Sequence, residues 1–158
     1  MAIDSLKKRT HLILTTWFGV GFSPWAPGTF GSLASLPFAF LFMETSGLLG
    51  IAVAAAVIFV IGAYAVHNYL LQTGKKDPSE AVVDEVAGQF LPLLVAPYSI
   101  EGWIFAFILF RVFDIWKPWP CNWVDQKLSG GLGVMLDDVA AGTYAGLVII
   151  ALRQFGVL

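Results

Sequence analysis

The sequence predicts an all-α, single-domain protein integral to a membrane, and three observations carry that reading. Of the 158 residues, 58% are hydrophobic and only 13% charged, with a mean hydropathy of +0.77, whereas a soluble domain carries about 25% charged residues. The apolar run 47–71 exceeds the ~20 residues that cross ~30 Å of hydrocarbon, and no stretch shows the alternation of a strand. Beyond residue 10, the charges gather in two stretches, 74–85 and 111–138, apart from Glu44, Glu101 and Arg153. The length fits one domain over 1–158. Six Trp add to the membrane reading, because Trp favours the interface. A net charge of −2 without a basic tail speaks against a nucleic-acid partner, and Cys121 alone makes no internal disulfide.

The elements follow in order. Lys7, Lys8 and Arg9 read as a cytoplasmic basic end. A secretory signal fits poorly, because the apolar run after them stops at a Pro/Gly-rich loop without a small-residue cleavage site. That loop, "SPWAPGTFGS" (23–32), has Pro24 and Pro27 to stiffen it, and Gly28 and Gly31 to let backbone approach a ligand. Thr29 and Ser32 add hydroxyls ahead of the first apolar segment, where free N–H groups take an anion. No Lys follows the second glycine, so this is not a Walker motif, and turns alone would also account for it. Segment 31–43 is short and interrupted by Pro37, while 47–71 is an unmistakable span.

Segments 86–100 and 102–110 are each too short to cross comfortably. A re-entrant hairpin turning near Pro97 and Gly102 would keep the basic N-terminus and both charged stretches on one side; one tilted span over 86–110 would separate them. The Lys/Arg distribution favours the hairpin, provided its turn is buried in protein or lines a wet cavity. The last segment, 139–152, crosses if its flanks are included. Its small residues Gly142, Ala145 and Gly146 serve either a dimer or, the preferred reading, a tight contact within the chain. Oligomeric state stays open.

The acids stand at apolar boundaries. Asp84 and Glu85 open one apolar segment, and Asp137 and Asp138 precede the last. On a helix continuing to Pro118, Arg111, Asp114 and Lys117 share a face at spacings of three. Taken singly, each has a plain explanation: a helix-start acid, an N-cap, or an internal ion pair. Taken together, five carboxylates on three segments look like ligands for a hard cation such as Mg²⁺, which takes oxygen donors and substrate phosphate. Arg111 and Lys117 then suit the phosphate, the former as a bidentate fork. "SGGLGVMLDD" (129–138) reads as a flexible approach that delivers Asp137 and Asp138.

Absences narrow the chemistry. Cys121 has Lys127 where a cysteine phosphatase needs Arg. His11 and His67 are too few for a histidine-nucleophile cluster, and His67 reads as a tucked interfacial polar residue. No Asp-x-Asp pair marks an aspartate-nucleophile phosphatase. Against an enzyme stands a small carrier or a lipid-binding assembly protein, since intramembrane charges also mark ion paths. Such a path would distribute charge across the bilayer, whereas here the acids gather at one level.

Three blocks then carry a family likeness: "GVGFSPWAPGTFGSLASLPF", "DPSEAVVDEVAG" and "FRVFDIWKPWPCNWVDQKLSGGLGVMLDDVAAG". In content, order and spacing, over about 19–142, the chain resembles the phosphatidylglycerophosphatase A family of bacterial membrane lipid phosphatases. The resemblance implies Mg²⁺-dependent hydrolysis of phosphatidylglycerophosphate at the cytoplasmic face of the inner membrane, and a bundle around a central helix. Headgroup choice, for instance against phosphatidic acid, is left open.

On this reading the metal ligands come from Asp138, Asp84, Asp114, Asp137 and Glu85. Arg111, Lys117, Ser32 and the backbone around Gly28 and Thr29 hold phosphate. One carboxylate, among Asp84, Asp114 and Asp138, acts as general base or as nucleophile. Trp116, Trp119 and Trp123 anchor the edge at the interface.

Overall fold

The computed structural model describes residues 2–76, 78–119 and 121–158, side chains of 2–4 and 124–126 excepted, so Asp77 of the first charged stretch lies outside the described residues. The described residues form six α-helices, α1 (Ala2–Thr15), α2 (Pro27–Thr73), α3 (Val83–Leu93), α4 (Ile100–Trp116), α5 (Cys121–Lys127) and α6 (Gly130–Gln154), with a short 3-10 turn at Val20–Phe22. The expected all-α class is what forms, with no strand among the described residues.

After α1 the chain reverses through Trp17, Phe18 and Gly19, all at positive φ. Pro27 then opens α2, where its fixed φ and missing N–H cost nothing. The helix carries Pro37 without a break; the interruption lies at Gly47, with φ 62 and ψ −154. A backbone position of that kind suits a residue without Cβ. There α2 folds back on itself. Both Gly28 near its start and His67, Leu70 and Gly74 at its end line one cavity, although a straight helix of its 47 residues would run about 70 Å. The interruption expected at Pro37 therefore falls at Gly47 instead, and 27–73 makes a helical hairpin.

Short α3 is the centre of the bundle. Every residue from Val83 to Phe90 except Glu85 is buried, and α2, α4 and α6 all pack against it. Val86, Phe90 and Leu93 join Ile51, Val66, Met135 and Ile149 in the main apolar core. Contact with α6 is backbone-close. A Cβ on Gly142 would stand 2.3 Å from the Gly88 carbonyl oxygen, and one on Gly88 would stand 2.7 Å from the Asp138 carbonyl oxygen. The small residues of the last helix therefore serve a contact within the chain.

After α3 the chain turns at 94–99 into α4, whose start is capped by Ser99 Oγ accepting from the Gly102 N–H at 3.0 Å. The two helices form the expected hairpin, since the start of α3 and the C-terminal part of α4 meet at one place: Glu85 and Arg111 both lie against Gly28. Helix α4 ends sooner than expected. Trp116 is its last residue, and Lys117 adopts a left-handed conformation, φ 46, so it does not continue the Arg111–Asp114 face. The stretch 129–138 is also not a flexible loop: α6 begins at Gly130, which places Asp137 and Asp138 two turns inside a helix rather than at its N-cap.

Candidate active site

The register of the α3–α6 contact builds the site. Asp84 precedes Gly88 by four residues and Asp138 precedes Gly142 by four, so each acid stands one turn from the closest backbone approach, on the same face as its glycine. With no Cβ between the helices, the two carboxylates converge. Asp84, Glu85 and Asp138 offer oxygens that all lie within 4.8 Å of one another. Asp84 and Asp138 are buried, and Glu85 is nearly so.

Glu85 points into the first turn of α2. A Cβ on Gly28 would sit 2.0 Å from Glu85 Oε1 and 3.3 Å from Arg111 Nη1, so any side chain at position 28 would displace the Glu85 carboxylate. Arg111 Nη1 pairs with Asp114 Oδ2 at 2.5 Å and donates to Ser32 Oγ at 3.3 Å, while Ser32 itself donates to the Gly28 carbonyl. Ser32 thus orients the arginine and does not line the cavity. Lys117 Nζ pairs with Asp137 Oδ2 at 2.6 Å, not with Asp114. The other Asp137 oxygen accepts from the Asp138 N–H at 3.0 Å.

These side chains line a cavity of about 920 Å³ that includes Gly28, Asp84, Glu85, Arg111, Asp114, Lys117, Asp137 and Asp138. Thr29 lies outside that lining, and nothing in the structure brings it to the acids. Conversely His67, Lys75, Lys76 and Ser129 line the cavity and were not expected to. His67 is exposed to it rather than tucked away. For His67, Lys75 and Lys76 the sequence context carries no signal, since α2's fold-back at Gly47 is what brings residues 67–76 there.

Burial, and next the neighbouring Glu85 charge, hold the Asp84 carboxyl well above the usual carboxylate range. Burial raises Glu85 too, against the hydrogen bond it shares with Asp84 and the charge of Arg111. Asp84 Oδ1 and Glu85 Oε2 are buried without a hydrogen-bond partner. Arg111 and Lys117 hold ion pairs with Asp114 and Asp137, and the Arg111 charge only partly offsets the crowding of the three converging carboxylates. An all-oxygen donor set under that strain fits a hard divalent cation, and the arginine beside it fits a phosphate.

An all-helical chain with such a cluster has the make-up of the phosphatases that work through carboxylates, and the comparisons with known proteins agree. The family model described as Phosphatidylglycerophosphatase A matches residues 13–153. Phosphatidylglycerophosphatase A of Escherichia coli is 38% identical over 138 residues, covering 87% of this chain and 80% of that protein. The Haemophilus influenzae protein of the same name is 38% identical over 152 residues, or 96% and 93%. A Bacteroides thetaiotaomicron protein provisionally named phosphatidylinositol-3-phosphatase is 40% identical over 149 residues, or 90% and 92%. No solved structure matches significantly. The chain belongs to the phosphatidylglycerophosphatase A family and is a phosphatase.

Proposed function

We propose that this phosphatase hydrolyses the terminal phosphomonoester of phosphatidylglycerophosphate, releasing phosphatidylglycerol and phosphate, with Mg²⁺ held by Asp84, Glu85 and Asp138. The observation that carries the reading is the convergence of those three carboxylates beside the Arg111 fork. When bound, the cation supplies charge stabilisation to the phosphate oxygens and acidifies a water. The residues do the rest. Arg111, held by Asp114 and Ser32, presents its remaining N–H groups to the phosphate, and Lys117, held by Asp137, adds a second positive charge. Asp114 lines the cavity and stands as the acid nearest the arginine; as a base it would take a proton from the attacking water. Cys121 is buried and takes no part.

We place the chain in the cytoplasmic membrane of a bacterium. Helices α2 and α6 are long and apolar enough to cross, and large apolar side chains such as Leu49, Val60, Ile104, Ile115 and Leu147 face outward along α2, α4 and α6. Helix α3, about 16 Å long by its 11 residues, is too short to cross and reads as one arm of a re-entrant hairpin. Support for a cytoplasmic site comes from the N-terminal helix. His11 of basic α1 meets Gln72 at 2.8 Å, two residues from cavity-lining Gly74, so Lys7, Lys8 and Arg9 lie toward the cavity end, as the positive-inside rule expects. Trp116, Trp119 and Trp123 are exposed near the same end and suit the headgroup level.

The deciding experiment is phosphate release by detergent-purified protein from phosphatidylglycerophosphate, phosphatidic acid and phosphatidylinositol-3-phosphate, each with Mg²⁺ and with EDTA. Mg²⁺-dependent release that prefers phosphatidylglycerophosphate is expected. Preference for another lipid keeps the chemistry and changes the substrate. No release from folded protein overturns the reading.

A further inference from the structure

Gln89 is a buried polar side chain that neither the fold nor the proposed chemistry uses. It lies on central helix α3 with no exposure at all, and neither its Nε2 nor its Oε1 has a hydrogen-bond partner. An amide left unpaired in a protein interior costs about 1–3 kcal/mol, and native chains keep such groups rarely. An apolar residue would serve the core at least as well, since Val86, Phe90 and Leu93 of the same helix are fully or almost fully buried in it.

Its register gives it a use. Gln89 follows Glu85 by four residues, which puts the two on one face with Cβ atoms about 5–6 Å apart. Glu85 Oε1 lies against Gly28, while Oε2 is buried with no donor. An unpaired amide donor and an unpaired carboxylate acceptor one helical turn apart complement each other, and the i, i+4 spacing is the one at which a Gln side chain and an acid on a helix hydrogen-bond. Carboxylates that ligate a cation are themselves usually hydrogen-bonded by a neighbour, and loss of that neighbour costs 10–100-fold in metal affinity.

We propose that Gln89 is a positioning residue: its amide N–H holds Glu85 in the orientation that binds the divalent cation. This rests on the metal reading above. Arg111 Nε, also buried and unpartnered, is the competing donor, and the test must separate the two.

The variant is Gln89→Met, similar in length and apolar, so the metal-free fold should melt no lower than wild type. Mg²⁺ is titrated against detergent-purified wild type and Gln89→Met, following the melting temperature from an EDTA baseline, and separately against phosphate release. The expected result is an unchanged or higher metal-free melting temperature, with a Mg²⁺ midpoint raised about 10–100-fold. At saturating Mg²⁺ the KM for lipid should stay near the wild-type value. A Mg²⁺ midpoint equal to wild type overturns the proposal and leaves Arg111 as the donor. Should the variant melt lower, Gln89→Leu is titrated in the same way. Wild-type protein whose melting ignores Mg²⁺ would overturn the metal reading as well, a result distinct from a failure of Gln89 alone.

Discussion

The molecule carries two adjacent acid pairs, Asp84–Glu85 and Asp137–Asp138, and the structure treats them differently. In the first pair both carboxylates join the converging cluster. In the second only Asp138 does; Asp137 takes Lys117 with one oxygen and the Asp138 N–H with the other. Helix position explains the split. Asp84 and Glu85 stand in the first turn of α3, where the chain turns in from its loop, and Gly28 leaves Glu85 room to reach the site. Asp137 and Asp138 lie inside α6, about 100° apart around its axis, so only the one in register with Gly142 can face α3. Neighbouring identical residues thus acquire separate surroundings: Asp138 joins the carboxylate cluster, and Asp137 pairs with Lys117.

Breaking that asymmetry should give the largest effect. Asp138→Asn is expected to lower phosphate release on the order of 10³-fold, whereas Asp137→Asn, which acts through Lys117, should cost roughly 10-fold. Equal losses in the two variants would show that the pair acts as one unit. Arg111→Ala should come next, at about 10²–10³-fold for losing a fixed donor to the phosphate. Arg111→Lys should not restore it, because a point charge does not replace the fork. Folded, fully active Arg111→Ala protein would remove the arginine from the site.

The glycines sharpen the comparison at a smaller scale. Gly142→Ala forces a methyl against the Gly88 carbonyl and should destabilise by about 1–3 kcal/mol, read by thermal melting in detergent. Gly146→Ala meets only Val95 Cγ2 at 3.5 Å and Pro92 Cα at 3.9 Å, so the extra helix propensity should leave it neutral or up to about 1 kcal/mol more stable.

The smallest expected effect is on pH dependence. Asp84 has a raised carboxyl pKa in the fold, so the unfolded chain gives up that proton first as pH rises. Stability present below the ordinary carboxylate range is therefore lost as pH climbs through the raised value. In EDTA the protein should melt higher at pH 5 than at pH 8. Mg²⁺ should narrow the gap, and Asp84→Asn should shrink it without metal.

Much of this was legible in the chain. Apolar runs bounded by charge marked the helices, because burial or lipid contact needs long segments free of charge. The acids, Arg111 and Lys117 stood out because polar groups at apolar boundaries are expensive unless used. The pairings were less legible. Arg111 and Asp114, three apart on one helix, do pair, but Lys117 finds Asp137 because α4 ends at Trp116. Ser32 turned out to hold the arginine, and Thr29 went elsewhere.

The sequence by itself determined the all-helical class, the family and the set of chemical groups, since composition, periodicity and motif spacing are local properties of the chain. Only the tertiary structure decided which of those groups meet. Convergence of Asp84, Glu85 and Asp138 depends on two glycines, Gly88 and Gly142, that let helices far apart in sequence touch backbone to backbone. The approach of residues 67–76 to the same cavity depends on one reversal at Gly47. A missing Cβ is visible in a sequence, but the surface that will occupy its space is chosen only when the helices pack.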